Sequence, residues 1–348
     1  EWLNDEYVFF YSNSGSEANE TAFKIARQYH IKNDEPQRYK IISRYRAYHG
    51  SSFGALAATG QFQRKFHYEP LASGFIHVNP PDKYRSPYSG TEEEIGKAYA
   101  DEIERVINWE VNKSVAAIIL EPIISGGGVI VPPKNYLKEV EKICNKHGVL
   151  LIVDEVVNGF GRLGEKFGFM KYGIKPDIIT MAKGLTSSYL PLSVTAIRKD
   201  LFNVLEKDGD YAKFRHINTF GGNPAACALA LKNIEIIENE NLIEKANTIG
   251  NKLKDDLLEM NHPNIGDIRG EGLLIGIEFI DDQETKEPSE RITEIFLNEC
   301  KTRGLLLGRN GDTSQGYSNV AIVSPPLSIT EEEYDFLINT IKDVVHAL

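Results

Sequence analysis

Two short apolar runs in the middle of the chain constrain its fold most strongly. Residues 149–154 read VLLIVD, and residues 177–183 read DIITMAK. Runs this short, flanked by glycine or by Pro-Asp, are typical of central strands in a parallel sheet. Each run ends in a charge that a buried strand does not favour, Asp154 in the first and Lys183 in the second. Ligands bind beyond the carboxyl ends of such strands, so we expect both side chains to face one crevice.

The order of the predicted elements divides the chain into two parts. Strands alternate with helices up to about residue 238, which predicts an α/β domain with a mostly parallel sheet. This alternation then gives way to the element order of a smaller α+β unit, so we predict domains over residues 1–238 and 239–348. In the first domain we predict strands over 7–11, 39–43, 75–82, 115–120, 149–154, 177–183 and 190–197, with helices over 17–29, 51–59, 92–112, 134–147 and 224–238. In the second we predict helices over 241–260 and 289–303, strands over 265–269, 273–280, 305–308 and 320–324, and a last helix from a capping box at Thr330 and Glu333.

Composition excludes several classes of protein. The 348 residues are 41% hydrophobic and 26% charged, as in a globular chain long enough for two domains. A net charge of −11 argues against sequence-independent nucleic-acid binding. No apolar run approaches the roughly 20 residues of a membrane-spanning helix. Three scattered cysteines lack metal-ligand spacing and favour a reducing, cytoplasmic compartment. The first residues include no Met and open in mid-pattern, so we expect an N-terminally cropped sequence.

Lys183 and Asp154 each have a structural explanation when taken alone. Lys183 could extend from a strand end to the surface, and Asp154 could cap the next helix. The functional reading of Lys183 is an amine whose pKa is lowered by partial burial, so that it forms a Schiff base. Together the two residues match what pyridoxal phosphate needs. The lysine holds the aldehyde as an imine, and the acid keeps the pyridine nitrogen protonated.

A candidate phosphate site lies upstream, in residues 12–20, which read SNSGSEANE. Ser14 and Glu17 have the spacing of a capping box that opens a helix. Gly15 would let the backbone approach a ligand closely, and the N–H groups of a helix N-terminus bind anions. The alternative is a capped helix that binds nothing.

Three further residues are weaker candidates. Thr219 lies in a hydroxyl- and glycine-containing turn before a helix capped by Asn223. Tyr48 follows a strand, where an aromatic ring could stack on a flat ligand or simply pack under a loop. Arg309 follows a strand of the second domain and could clamp a carboxylate, although arginine in a glycine-rich loop is most often solvated.

Taken together, these segments resemble the class III aminotransferases, the ω-amino-acid branch of the fold-type I pyridoxal phosphate enzymes. The resemblance runs from Tyr7 to the C-terminus. It implies a large domain with a mostly parallel seven-stranded sheet flanked by helices, and a smaller C-terminal α+β domain. The matching motifs occur in the family's order and are residues 14–20 (SGSEANE), 48–50 (YHG), 121–122 (EP), 154–156 (DEV), 159–162 (GFGR), 182–184 (AKG), 219–224 (TFGGNP) and 324–327 (SPPL).

The resemblance also implies how the residues surround the cofactor, pyridoxal 5'-phosphate. Lys183 would form the Schiff base and then move the proton between the substrate carbon and the cofactor. Asp154 would pair with the ring nitrogen, and Tyr48 and Val156 would cover the two faces of the ring. Glu121 would line the substrate side, near the cofactor.

The same resemblance implies a homodimer with shared active sites. Gly15 and Ser16 would bind the phosphate, and Thr219 would bind the phosphate in the neighbouring subunit's site. Arg309 matches the family's mobile arginine, which receives the α-carboxylate of the acceptor. An insertion at residues 313–318 separates Arg309 from the next strand, which weakens that match.

The implied activity is transamination by a ping-pong mechanism through pyridoxamine phosphate. An ω-amino acid or amine would donate the amino group, and a keto acid such as pyruvate would accept it. One alternative is the adenosylmethionine-8-amino-7-oxononanoate aminotransferase of biotin synthesis, although residues 16–20 read SEANE where that branch has STAVE. The others are a decarboxylase or aminomutase of this fold and a catalytically silent homologue that serves as a binding subunit.

Overall fold

The computed structural model describes residues 2–3, 5–207, 212–311, 313 and 317–348. Within them, seven strands form a sheet in the order β1-β7-β6-β5-β4-β2-β3. The strands are β1 (Tyr7–Ser12), β2 (Lys40–Arg44), β3 (Phe75–Val78), β4 (Val115–Leu120), β5 (Leu150–Asp154), β6 (Ile178–Met181) and β7 (Ser193–Arg198).

The sheet is mostly parallel, with two antiparallel pairs at one side. β2, β3, β4, β5 and β6 pair in parallel, whereas β7 runs antiparallel to both β6 and β1. The connection from β6 to β7 holds only a short 3-10 turn, Lys183–Leu185. A parallel return needs a crossover of a dozen or more residues, usually with a helix, so the chain instead turns back antiparallel.

Helices cover both faces of this sheet because its central strands are apolar on both faces. In β5, Leu151 and Val153 join one buried cluster, while Leu150 and Ile152 join another on the opposite face, as the two-residue period of a strand requires. The helices of this part are α1 (Gly15–Lys32), α2 (Phe53–Ala58), α3 (Phe62–Lys65), α4 (Glu92–Trp109), α5 (Tyr136–His147), α6 (Gly168–Lys171), α7 (Lys199–Leu205) and α8 (Pro224–Asn239).

The C-terminal part has its own antiparallel sheet, with the order β10-β11-β9-β8 in the described residues. A separate buried cluster, centred on residues such as Phe279, Phe296 and Ile341, packs between this sheet and three helices. The elements are α9 (Leu242–Leu258), β8 (Ile265–Glu271), β9 (Leu274–Phe279), α10 (Glu290–Thr302), β10 (Gly308–Arg309), β11 (Val320–Val323) and α11 (Glu331–His346). The domain division at residues 238/239 stays a prediction.

One predicted strand and one predicted cap are wrong in detail. Residues 305–307 are not a strand, because the Leu305 N–H bonds to the Cys300 carbonyl (2.9 Å) at the end of α10. Leu305 and Leu307 pack on the core, whereas Leu306 is exposed. At α1, the Ser14 hydroxyl accepts from the Glu17 N–H, but the Glu17 carboxylate accepts from the N–H of Asn13 instead of Ser14. The capping box at Thr330 and Glu333 is confirmed.

Of the helices in the described residues, none combines the length and the apolar character needed to cross a lipid bilayer.

Candidate active site

Asp154 and Lys183 line one cavity of about 550 Å³ at the carboxyl edge of the large sheet. Asp154 is the last residue of β5, and it lies opposite Thr180 of the neighbouring strand β6. Lys183 follows two residues after the end of β6. A carboxylate therefore ends one strand, and an amine follows the end of the adjacent strand.

Lys183 has an unusual backbone conformation and an exposed side chain. Its φ of 39° lies in the left-handed region that non-glycine residues seldom adopt, and such strain is concentrated at functional sites. The expected partial burial of Lys183 is wrong, because the residue is exposed within the cavity. The reason is that the strand has already ended, so the lysine starts a turn instead of closing the sheet. Lys183 also lines a second, adjoining cavity of about 690 Å³.

Asp154 is buried and held by hydrogen bonds from three segments of the chain. Its Oδ1 accepts from the Val156 N–H at 3.1 Å. Its Oδ2 lies 2.9 Å from the His49 Nδ1 and accepts at 2.9 Å from the Asn19 amide. An ionised carboxylate only accepts, so the His49 hydrogen belongs on Nδ1. Both carboxylate oxygens are thus oriented by hydrogen bonds.

Sequence reasoning missed the supporting roles of His49 and Asn19. Asn19 also donates to the His49 carbonyl at 2.6 Å and accepts from the Thr180 hydroxyl at 2.8 Å, so it ties α1 to β6 and to the loop after β2. Both side chains are almost fully buried, His49 with 2% and Asn19 with 1% exposed. Both lie inside quoted motifs, but a motif does not show which of its members contact a residue more than a hundred positions away.

Glu121 also lines this cavity and holds two neighbouring segments in place. Its Oε1 accepts from the Tyr48 N–H at 3.2 Å, and its Oε2 accepts from the Ser125 N–H and hydroxyl at 3.1 and 2.7 Å. The Tyr48 ring in turn has the Arg64 guanidinium 4.6 Å from its centroid. The carboxylate of Glu121 therefore fixes the backbone that carries the Tyr48 ring.

At the predicted phosphate site, the backbone lies very close to neighbouring side chains. A Cβ atom on Gly15 would lie 2.9 Å from the Val156 Cγ2, and one on Gly50 would lie 2.4 Å from the Ser16 Oγ. The Ser16 hydroxyl accepts from the Ser51 N–H at 3.0 Å. Glycine is required at both positions, because any side chain would displace the wall of the cavity. The first turn of the 18-residue helix α1 adds N–H groups that have no partner within the helix.

Two candidate residues lie elsewhere. Among the described residues that line the two cavities, neither Thr219 nor Arg309 appears. Thr219 is exposed in the turn before α8. Arg309 is exposed in β10, and its Nε donates to the Ser318 carbonyl at 2.8 Å. Of the insertion at 313–318, residues 314–316 lie outside the described residues.

Comparison with known proteins assigns the family. The fold is that of a fold-type I transaminase, and the family model described as aminotransferase class-III matches residues 3–345. The chain belongs to the class III aminotransferases, which confirms the predicted family and fold class. Enzymes of this family depend on pyridoxal phosphate and transfer an amino group from an amine donor to a keto acid.

Individual relatives agree with this assignment. The chain is 56% identical over 346 residues to the uncharacterized aminotransferase YhxA of Bacillus subtilis (strain 168), which covers 99% of this chain and 76% of the relative. It is 42% identical over 334 residues to the taurine–pyruvate aminotransferase of Bilophila wadsworthia, which covers 94% of this chain and 73% of the relative. The crystal structure of a Bacillus anthracis aminotransferase is similar, with a TM-score of 0.96 and 56% identity over 100% of this chain and 78% of that one.

Proposed function

We propose that this aminotransferase binds pyridoxal phosphate at the 550 Å³ cavity and moves an amino group from an ω-amino acid or amine to a keto acid such as pyruvate, in two alternating half-reactions. The observation that carries the proposal is the placement of Asp154 and Lys183 beyond adjacent strands on that cavity, with a glycine- and serine-containing helix N-terminus beside them.

The residues present fit this cofactor. A buried carboxylate with both oxygens oriented suits a protonated ring nitrogen, and Asp154 is such a group. The amine of Lys183 is available for the aldehyde. The close backbone approach at Gly15, with the helix N-terminus and the Ser16 hydroxyl, suits a phosphate dianion. Tyr48 and Val156 line the same cavity and would cover the ring faces.

The chemistry then depends on a few side chains of the chain itself. When bound, pyridoxal phosphate supplies an electron sink for the pair left behind as the substrate carbon loses its proton. The Lys183 amine would hold the aldehyde carbon and, when free, would move that proton at Nζ between the substrate carbon and the cofactor. Asp154 holds the positive ring nitrogen that makes the sink effective, and His49 and Asn19 keep its carboxylate in place.

The substrate class is an amine that carries an acidic group at a distance, with pyruvate as acceptor. The name of the taurine–pyruvate relative, at 42% identity, supports this choice. Arg309 would receive the acceptor carboxylate, and Glu121 would line the substrate side. For this role Arg309 must move from its bond to the Ser318 carbonyl.

We further propose a homodimer in which Thr219 reaches the phosphate of the neighbouring subunit. Its exposed turn, outside the cavities of its own chain, supports this arrangement. Ile217 and Phe220 beside it are 91% and 69% exposed, which is unusual for large apolar side chains and suits an interface.

A cytoplasmic location completes the proposal. Cys144, Cys227 and Cys300 are all unpaired, as in proteins of reducing compartments. Fractionation of the source cells with a thiol count on the recovered enzyme tests it, and a disulfide-linked or secreted form would contradict it.

The substrate proposal is tested with a panel of amine donors at fixed pyruvate, with alanine formation as the readout. β-Alanine, taurine, a polyamine and a simple amine form the panel, and Lys183→Ala is the matched control. S-adenosylmethionine with 7-keto-8-aminopelargonate is assayed separately, without pyruvate, by formation of the diamine product. We expect alanine from at least one acidic ω-amino donor and none from the control variant. Turnover confined to the last substrate pair would instead support the biotin-synthesis alternative.

A further inference from the structure

A tyrosine in the insertion contacts two fixed arginines of the large sheet's loops. Tyr317 belongs to the 313–318 insertion. The guanidinium carbons of Arg46 and Arg85 lie 5.3 and 5.0 Å from the centroid of its ring. Both distances fall within the range of cation–π attraction, which is stronger when the cation is shielded from water. We call Tyr317 with these two arginines the tyrosine anchor.

Carboxylates hold both arginines in place. The Arg46 Nη1 donates to Asp82 at 2.9 Å, and its Nη2 donates to the Gly127 carbonyl at 2.7 Å. The Arg85 Nε donates to Glu278 at 2.6 Å. Arg46 is buried and Arg85 is mostly so. The ring therefore contacts two cations that are already oriented, so its own position is defined at little extra entropic cost.

The anchor bears directly on the loop that carries Arg309. The carbonyl of Tyr317 accepts from the Asn310 side chain at 2.6 Å, and the carbonyl of the next residue, Ser318, accepts from the Arg309 Nε at 2.8 Å. Arg46, at the other side of the contact, lies two residues before Tyr48 on the cavity wall. The anchor thus ties the Arg309 loop to the segment that bears Tyr48.

We propose that Tyr317 is a positioning residue for recognition of the substrate's acidic group. Tyr317 fixes the backbone carbonyls to which the Asn310 and Arg309 side chains donate. It thereby sets the position from which the Arg309 guanidinium moves to the cavity. The inference rests on the proposed transaminase function and on the proposed role of Arg309. Tyr317 itself contacts no reacting atom in this account.

The test compares two acceptors in the full chain loaded with pyridoxal phosphate: pyruvate, and a neutral aldehyde that has no carboxylate. We expect Tyr317→Leu to raise the KM for pyruvate about tenfold, equivalent to ~1.4 kcal/mol, and that for the aldehyde less than about twofold. Tyr317→Phe keeps the ring and should restore near-normal values for both. Thermal midpoints of all variants are measured alongside, and Tyr317→Met replaces the leucine variant if that one unfolds early.

Two controls separate the inference from the proposal beneath it. Tyr84 also has its ring 5.3 Å from Arg85, but it lies outside the Arg309 loop, so Tyr84→Leu should leave both KM values nearly unchanged. Arg309→Ala should discriminate between the acceptors as Tyr317→Leu does. If Arg309→Ala discriminates and Tyr317→Leu does not, the anchor is overturned and the proposed function stands. If neither discriminates while both acceptors are aminated, the anchor and the Arg309 role both fail, and transamination itself is retained.

Discussion

At the scale of single residues, Asp154 has the most demanding task. In the proposed site its carboxylate lies beside the ring nitrogen. It is 3% exposed, and its two oxygens accept hydrogen bonds from His49, Asn19 and Val156. Asp154→Asn keeps the shape and removes the charge. We expect kcat to fall roughly 10²–10³-fold, equivalent to about 3–4 kcal/mol of barrier, by analogy with losing a main electrostatic stabiliser. Stopped-flow rates of the donor half-reaction measure this, and near-normal rates would refute the role.

The proposed role of Arg309 is in substrate choice and not in the chemical step. Arg309→Ala should raise the KM for the keto acid far more than the KM for a simple amine donor, since only the acceptor carries the α-carboxylate that a guanidinium binds bidentately. Steady-state kinetics with each substrate varied in turn measure this. Equal effects on both substrates would show that the match across the 313–318 insertion is wrong.

The sequence was informative about which residues carry charge at strand ends and uninformative about what surrounds them. Asp154 and Lys183 stand out because apolar strands rarely end in charges. His49 and Asn19 do not stand out, since a histidine and an asparagine in loops and helices have many ordinary roles. Their contacts with Asp154 span 105 and 135 positions along the chain and exist only in the folded protein. The exposure of Lys183 was missed because it depends on where the strand ends.

At the scale of elements, Glu155 links β5 to α6. It is fully buried, and its carboxylate accepts from the N–H groups of Gly168 and Phe169 at 3.0 and 2.7 Å. Burial raises the pKa of Glu155 from 4.5 to about 7. Between pH 4.5 and about 7, the folded state therefore keeps the Glu155 proton that the unfolded state has lost. The contribution of this proton to stability is fully present below pH 4.5 and is lost as the pH rises through about 7.

This linkage predicts a pH dependence of stability that belongs to one residue. A pKa shift of this size corresponds to a difference of ~3 kcal/mol in unfolding free energy between the low-pH and high-pH limits. The unfolding free energy of the wild type, relative to Glu155→Gln, should fall by ~2–3 kcal/mol from pH 5 to pH 8. Urea unfolding at fixed protein concentration measures it. The exposed Glu294, changed to Gln, is the control and should shift by less than ~0.5 kcal/mol. A constant difference between wild type and Glu155→Gln would contradict the account.

Most elements of the large sheet follow from local pattern, because a strand buried on both faces must be apolar throughout. The direction of β7 follows from the short β6–β7 connection, which shows only once the strand ends are known. Residues 305–307 show that a short apolar run does not determine secondary structure by itself. Three leucines in a row satisfy a strand pattern, but Leu305 and Leu307 also suit a helix end packed on a core, and the hydrogen bond from Leu305 to Cys300 distinguishes the two. The short helices α3, α6 and α7 carry too little periodicity to be predicted.

At the scale of the whole molecule, the proposed exchange of Thr219 between subunits makes a complementation prediction. Thr219→Val should weaken pyridoxal phosphate binding, and Lys183→Ala should abolish turnover. In a heterodimer of the two variants, one site combines both lesions and the other is wild type if Thr219 serves the neighbouring subunit. At limiting pyridoxal phosphate, the heterodimer co-expressed with two affinity tags should therefore show about half of the wild-type activity per dimer, whereas activity no higher than half that of the Thr219→Val homodimer would place Thr219 in its own subunit's site.

The account depends most on a covalent bond between Lys183 and the cofactor. The direct measurement is borohydride reduction of the purified chain with pyridoxal phosphate, followed by proteolysis and mass spectrometry of the labelled peptide. We predict a single reduced adduct on Lys183, and none in Lys183→Ala. An adduct on another lysine, or an unlabelled Lys183 in a preparation that turns over, would contradict the assignment of the site.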